Sequence, residues 1–292
     1  MILGGNVNSF FHELFQVQIF TASQMTRYWI NRLFLVGLAL SWPRAARADD
    51  LAFFYALDAD FVALKQRASA VGQPLRVGSR NIAVFSFPAH KVYAVKMGSG
   101  AVETALSAQA LLARVRCDAA LSVGPVGALN DALATGSWHR VETVVSYQKG
   151  AWTKNGFEVS PAATARLPAH SATNLMLPEL FRGAGAIKVA SGEVFIASDR
   201  YRQELREASG ADAVDMNLFG LAAACADHQV PLFCWRIVSD RANDNANEDF
   251  KTFVSGYDGA GGKAIAELVI KWPPNPNSPQ SYPRIKKLLS DP

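Results

Sequence analysis

Four aspartates stand where apolar runs give out. Asp58 and Asp60 follow "LAFFYAL", Asp215 closes "ADAVD", and Asp240 closes "PLFCWRIVSD". A carboxylate adds nothing to packing at the end of a buried strand. It either caps the turn that follows, a role that suits Asp58, or does chemistry at the strand's carboxyl edge, where open α/β sheets keep their sites. In an enclosed pocket one such acid keeps its proton toward neutral pH and can donate it, while a second can take a proton from water. Other chemistries are poorly supplied. The chain has no G-x-S-x-G turn and no Ser/His/Asp order, and its five histidines (His12, His90, His139, His170, His228) fall at no metal-ligand spacing. Cys117, Cys225 and Cys234 form no C-x-x-C and lie in apolar contexts, so they read as core thiols rather than a zinc site. In an exported chain one disulfide between them stays open. Neither metal nor cofactor is expected.

Three glycine turns accompany the acids. "MGSGAVETA" places Gly98 between a strand and a helix, where backbone N–H groups and a helix N-terminus favour an anion or a ribose edge, although a bare G-x-G is as often a tight turn. "LSVGPVGAL" carries Gly124 and Gly127 at the end of a buried strand, where small residues equally serve a close helix–strand crossing. "ASGEVFIASD" sets Phe195 and Ile196 after a third turn, where an aromatic can stack on a flat ligand or simply fill core.

The elements that must position these residues alternate. "LAFFYAL" predicts a strand and "DADFVALKQRASAVG" a helix from Asp58 to Gly72. "NIAVFSF" and "KVYAVKMGSG" predict strands, and "AVETALSAQALLARV" a helix. "DAALSVG", "VETVVSY", "AIKVASGEVFI", "ADAVDMN" and "PLFCWRIVSD" predict further strands, "DRYRQELREAS" and "LFGLAAACADH" helices, and a last long helix spans about Glu248 to Ile270. This alternation predicts one α/β domain around a mostly parallel or mixed sheet, over residues 49–292. Residues 1–48 read as a separable signal peptide. Arg27 and Arg32 precede "LFLVGLALSW", and "PRAARA" supplies an A-x-A site for cleavage after Ala48, with Met25 an alternative start. That apolar run is about half the roughly 20 residues a membrane span needs, so no stable membrane insertion is expected after processing. The expected location is periplasmic or secreted. Without the four arginines and one glutamate of this segment the formal charge falls from +4 to +1, which makes nucleic acid an unsuitable partner.

In order and spacing, "YALDADFVAL", "MGSGAV", "SVGPVGAL", "SGEVFI", "AVDMN" and "RIVSD" resemble six motifs of the nucleoside phosphorylase/nucleosidase superfamily, across about residues 52–270. Within it they are most similar to the 5'-methylthioadenosine/S-adenosylhomocysteine nucleosidases. The resemblance implies a single three-layer αβα domain with a central mixed, twisted sheet. It also implies hydrolysis of the N-glycosidic bond of a purine nucleoside, without metal or nucleotide cofactor, in a homodimer whose partner closes the pocket near the 5' substituent. By the same resemblance Asp240 engages purine N7 and protonates the leaving base. Asp60 stands where the nucleosidases carry a glutamate that deprotonates the attacking water. Phe195 stacks on the purine, the Ile196 backbone bonds its edge, Met216 lies against the ribose, and Gly98 and Gly124 belong to the glycine motifs around the substrate. One departure is Asn217, where the family has a glutamate that accepts from both ribose hydroxyls. Ser122 and Pro125 replace an Arg and a Ser of the hexameric phosphorylases, which favours water over phosphate as nucleophile. The rivals are a phosphate-dependent phosphorylase and a non-catalytic periplasmic nucleoside-binding protein, the latter favoured by Asn217 and disfavoured by the pair Asp60 and Asp240.

Overall fold

Strand β1 (Asp50–Tyr55), "DLAFFY", is buried at every position. Its side chains alternate between two cores, as the period of a strand requires: Ala52 and Phe54 join one apolar cluster, Leu51, Phe53 and Tyr55 another. A strand buried on both faces belongs inside a sheet covered by helices on either side. The computed structural model that shows this describes residues 50–154, 156–168 and 177–273. The chain divides into two units, 1–47 and 48–292, and the described residues belong to the second. The expected signal segment and residues 274–292, which open on the proline-rich run "PNPNSPQSYP", therefore lie outside the described residues.

After β1 come α1 (Asp58–Arg67), β2 (Ala70–Val71), β3 (Leu75–Val77), β4 (Arg80–Ser86), β5 (Lys91–Lys96), α2 (Ala101–Leu112) and β6 (Ala119–Ala128). Next are β7 (Trp138–Ser146), the hairpin β8 (Gly150–Thr153) with β9 (Gly156–Val159), β10 (Thr164–Arg166), α3 (Glu179–Arg182), β11 (Gly185–Ser191) and α4 (Asp199–Ser209). The chain continues through β12 (Ala213–Asp215), α5 (Leu218–Asp227), β13 (Leu232–Asp240), α6 (Ala246–Gly256) and α7 (Ala260–Lys271). The eleven-stranded sheet runs β10-β7-β11-β12-β6-β1-β5-β4-β2, with β13 pairing β6 and β7, and β3 pairing β4. It is mixed. β1 is parallel to β5 and β6, and β13 is parallel to β6, whereas β12 meets β6 antiparallel and β13 meets β7 antiparallel. Helices α2 and α5 pack on the face of Phe54, and α1 and α7 on the face of Phe53, which gives the three layers.

Three expectations change in the structure. The first helix ends at Arg67, not Gly72, because Ala70 and Val71 turn to pair with Phe85 and Ser86 of β4. The strand through "AIKVASGEVFI" stops at Ser191, so the glycine turn and Phe195 form a loop. The last helix is two, α6 and α7, broken at Tyr257–Gly259, where Gly259 adopts φ +76°. Side chains rarely take that conformation, and a Cβ there would also lie 2.4 Å from the Ala59 carbonyl oxygen.

Candidate active site

A cavity of about 260 Å³ opens where the strands end. It is lined by Ala56 and Leu57 after β1, Lys96 to Ser99 at and beyond the end of β5, Pro125 to Gly127 in β6, Val194 to Ile196 after β11, Val214 to Asn217 around the end of β12, Ser239 and Asp240 of β13, and Phe250 of α6. Of the residues singled out in the sequence, Gly98, Phe195, Ile196, Met216, Asn217 and Asp240 come together on this one surface. Asp60 and Gly124 do not line it. Gly124 packs under Ala56 and the Arg236 guanidinium, so its small size serves a close crossing of neighbouring segments.

A bulge aims Asp240. Pairing of β13 with β6 runs in step from Leu232 opposite Ala120 to Val238 opposite Val126, then skips Ser239 so that Asp240 stands opposite Gly127. The extra residue turns the strand's last side chain to the cavity. Gly127 leaves it room, since a Cβ there would lie 2.8 Å from Asp240 Oδ1. Oδ1 accepts the N–H of Ala242 at 2.9 Å, and Oδ2 accepts the Ser239 hydroxyl at 2.8 Å. The first bond requires buried Ala242 to sit at φ +51°, a left-handed conformation that costs about 1–2 kcal/mol in a non-glycine residue. Burial holds the Asp240 carboxyl above the ordinary carboxylate range and Asp249 adds to the rise, while the two donors oppose it. The group is a buried acid on a cavity wall, disposed to keep a proton until a partner takes it.

Asp60 lies on the buried stripe of α1 with Ala63 and Leu64, facing α7. Its Oδ1 accepts the Tyr257 hydroxyl at 2.7 Å and the Gly262 N–H at 2.8 Å, so it caps α7 from a neighbouring helix. The helix break makes this possible, because it sets Tyr257 on one side of the carboxylate and the N-terminus of α7 on the other. Oδ2 is buried with no partner. Burial pushes the Asp60 pKa up to about 6, with Asp258 adding to the rise, against the pull of the Tyr257 and Gly262 bonds and of Arg236. A capping aspartate explains Oδ1. It leaves Oδ2 unexplained, and a bare buried oxygen costs about 1–3 kcal/mol.

Arg236 is the functional candidate that the sequence reading passed over. It is buried in the middle of β13, where its Nε approaches Asp215 Oδ2 at 3.4 Å and its Nη1 donates to the Ser122 hydroxyl and the Trp235 carbonyl. Nη2 has no partner. The signal was present: a guanidinium inside "PLFCWRIV" must be paired to be buried at all. Asp215 supplies the pairing and also accepts the N–H groups of Asn217 and Leu218, which holds the start of α5 against the cavity.

The remaining wall is a stapled loop. Phe195, 37% exposed, meets Phe250 edge to face at 5.7 Å between ring centres. Tyr147 donates its hydroxyl to the Val194 carbonyl and accepts the Val194 N–H, and Gln148 accepts the N–H of Glu193. The Glu193 carboxylate in turn accepts the Val102 N–H at the start of α2, tying the loop to the opposite wall. Asn217 donates its side-chain N–H groups to the Gly98 carbonyl and to Thr104 Oγ1. Among the described residues no cluster of three or more His, Cys, Asp or Glu could hold a metal, and no helix is long and apolar enough to cross a membrane.

A mixed three-layer sheet that closes a carboxylate-bearing cavity at its strand ends defines an α/β protein of the nucleoside phosphorylase-like fold. Residues 51–269 match the phosphorylase superfamily, and the chain belongs to it. Over 186 residues it is 26% identical to a 5'-methylthioadenosine/S-adenosylhomocysteine nucleosidase of Staphylococcus aureus, covering 61% of this chain and 81% of that one. The crystal structure of the Neisseria meningitidis enzyme of the same name, in complex with methylthio-immucillin-A, superposes with a TM-score of 0.68 at 20% identity, covering 76% of this chain and 99% of that one. The futalosine hydrolase of Helicobacter pylori superposes with a TM-score of 0.68 at 17% identity, covering 77% and 99%.

Proposed function

We propose that the chain hydrolyses the N-glycosidic bond of a purine nucleoside, releasing free base and sugar, and that a nucleoside with a 5'-thioether such as 5'-methylthioadenosine is within its range. The observation that carries the reading is the pair of buried acids, Asp240 on the cavity wall and Asp60 set back from it with one oxygen left without a partner. The purine lies between Phe195 and the end of β13, where Asp240 gives its proton to the base as the bond to the anomeric carbon breaks. Water attacks the cationic sugar from the β1 side and loses a proton to Asp60 Oδ2. An aspartate is one methylene shorter than a glutamate, so the water sits deeper, in keeping with Asp60 lying behind the cavity wall. Stabilisation of an oxocarbenium-like sugar between carboxylates is the usual strategy of glycoside hydrolysis.

One observation favours phosphate as nucleophile, namely the unpartnered Nη2 of Arg236 beside Ser122. That cation already faces Asp215 at 3.4 Å and acts on Asp60, and two carboxylates repel a phosphate dianion. Water is the better nucleophile here. The reading extends to a homodimer, supported by Val102 (63% exposed) and Leu106 (53%), one turn apart on α2 beside the loop that carries Phe195. It extends also to export of the domain after cleavage at Ala48.

The test is base release from methylthioadenosine, adenosine and inosine with and without phosphate, with the mass in solution measured by light scattering on the same sample. Phosphate-independent release is expected. Turnover that requires phosphate would make the protein a phosphorylase, and nucleoside binding without release would make it a binding protein.

A further inference from the structure

The turn that carries the acid is held from outside the cavity. Beyond Asp240 the chain passes through Arg241 to Ala242, whose left-handed backbone directs its N–H onto Asp240 Oδ1. A residue in such a conformation keeps it only where the surroundings impose it. On the inner side Ala242 packs in an apolar cluster with Leu129, and Ile196 and Leu205 lie against the same cluster. On the outer side Arg241 donates Nη2 to Asp131 Oδ1 at 2.9 Å, and Arg202 donates Nη1 to the same oxygen at 2.7 Å. The two cations belong to different walls. Arg241 follows the acid, whereas Arg202 stands near the start of α4, the helix that begins just after the loop of Phe195 and Ile196. Two more bonds cross this seam, from the Ser198 N–H to the Ala242 carbonyl at 3.4 Å and from the Asp199 N–H to Asp244 Oδ1 at 3.0 Å. Asp131 itself has a fixed base. The N–H groups of Leu129 and Asn130 both donate to the Asp212 carbonyl, and Asn130 Nδ2 donates to Asp212 Oδ1.

We propose that Asp131 is a positioning residue for the general acid: it draws the turn after β13 and the start of α4 onto one point, which sets Asp240 at a fixed place relative to Phe195 and Ile196. The proposal rests on the nucleosidase reading for the role of Asp240, and it adds a residue outside the cavity that governs that acid. Asp131 is exposed, and an isolated exposed ion pair does little. Here one carboxylate oxygen serves two guanidinium groups, and Asp199 lies 3.6 Å from Arg202, so the charges form a network rather than a pair. Without the Asp131 carboxylate, Arg202 and Arg241 would meet across the seam as like charges and repel. An opened seam frees Ala242 to leave its left-handed conformation, and its N–H then leaves Asp240.

The experiment measures kcat, KM and the pH profile of base release for Asp131→Ala, Arg241→Gln and Asp131→Glu. Glu204→Gln, which breaks an exposed ion pair on the same helix, is the control. Base release fails as Asp240 loses its proton, so Asp240 governs the basic limb of the profile. The Ala242 bond holds the Asp240 pKa down and Asp249 is the charged group that raises it, so loss of the bond moves that limb up. Asp131→Ala and Arg241→Gln should each lower kcat by about three- to tenfold and move the basic limb to higher pH, with Asp131→Glu back within about twofold of the parent. The control should leave both rate and limb in place. A bare charge effect on Asp240 predicts something else, because loss of an anion moves the limb down and loss of a cation moves it up. Opposite shifts in the two variants would overturn the proposal, as would an unchanged kcat and limb in both, or a fall in kcat that follows a lowered melting temperature with the limb in place. Base release by the parent protein reads the underlying function separately. With that release intact these outcomes sink the proposal alone, whereas a parent protein that releases no base sinks the nucleosidase reading and the proposal with it.

Discussion

At the scale of single residues, Asp240 and Asp60 differ in their surroundings, which suits them to the two roles proposed for them. Asp240 stands on the cavity wall with a donor on each oxygen, whereas Asp60 has two donors on one oxygen and none on the other. Replacing Asp240 by Asn keeps the shape and removes the proton donor. Base release should fall by about 10²–10⁴-fold while nucleoside affinity stays within a few fold, and undiminished turnover would remove Asp240 from the mechanism. Asp60 must be ionised to accept a proton, so kcat/KM should rise with pH through the Asp60 pKa of about 6. The Tyr257 hydroxyl stabilises the ionised form, and burial opposes it. Removing the hydroxyl in Tyr257→Phe therefore raises the pKa, and the acid limb of the pH profile should move upward. A limb that stays in place or moves down would show that Asp60 does not govern it.

At the scale of elements, the acids were legible and their holders less so. The strand-to-Asp boundaries after β1, β12 and β13 could be read because burial on both faces gives unbroken apolar runs, and six of the eight residues given a catalytic or substrate-binding role by resemblance line one cavity. The bulge at Ser239 could not be read, since a one-residue slip in pairing leaves no mark on composition. The break between α6 and α7, by contrast, carried a readable signal, since "SGYDGAGG" holds four glycines in eight residues, each costing about 1 kcal/mol in a helix interior. That break places Tyr257 and Gly262 on Asp60. Gly262 has no room for a side chain: its Cβ would lie 2.0 Å from the Asp60 carbonyl oxygen. Gly262→Ala should therefore cost about 2 kcal/mol or more and push α7 away from Asp60, reducing base release along with stability. Gly256, the last residue of α6, faces open space, so Gly256→Ala should be neutral or stabilise by about 0.5–1 kcal/mol. Urea melts of the two variants, paired with rate measurements, check both outcomes. Equal costs at the two positions would mean that α7 does not press on α1 as the structure has it.

At the scale of the whole molecule, charge and chain order bear on where the domain works. The formal charge of +4 drops to +1 without the first 48 residues, so the apparent basicity belongs to the segment expected to be removed. The proposed cut after Ala48 would leave one residue before β1, whose six buried residues begin at Asp50 and pair with β5 and β6 on either side. Cleavage there spares the central strand, while cleavage a few residues later would remove part of it and expose the edges of two neighbours. The domain made directly from Asp49 should thus melt within a degree or two of the processed protein and release base at the same rate. Expression of the full chain in an export-competent cell should give a mature species whose intact mass begins at Asp49. A full-length species in the cytoplasm would contradict the cleavage, and a domain from Asp49 that fails to fold would contradict its independence. Three buried cysteines sharpen the same experiment, because in an oxidising compartment Cys117, Cys225 and Cys234 keep free thiols only while the fold shields them. Thiol titration of the exported protein should find all three unreactive when folded and all three reactive in denaturant, and a missing pair on unfolding would reveal a disulfide formed after export.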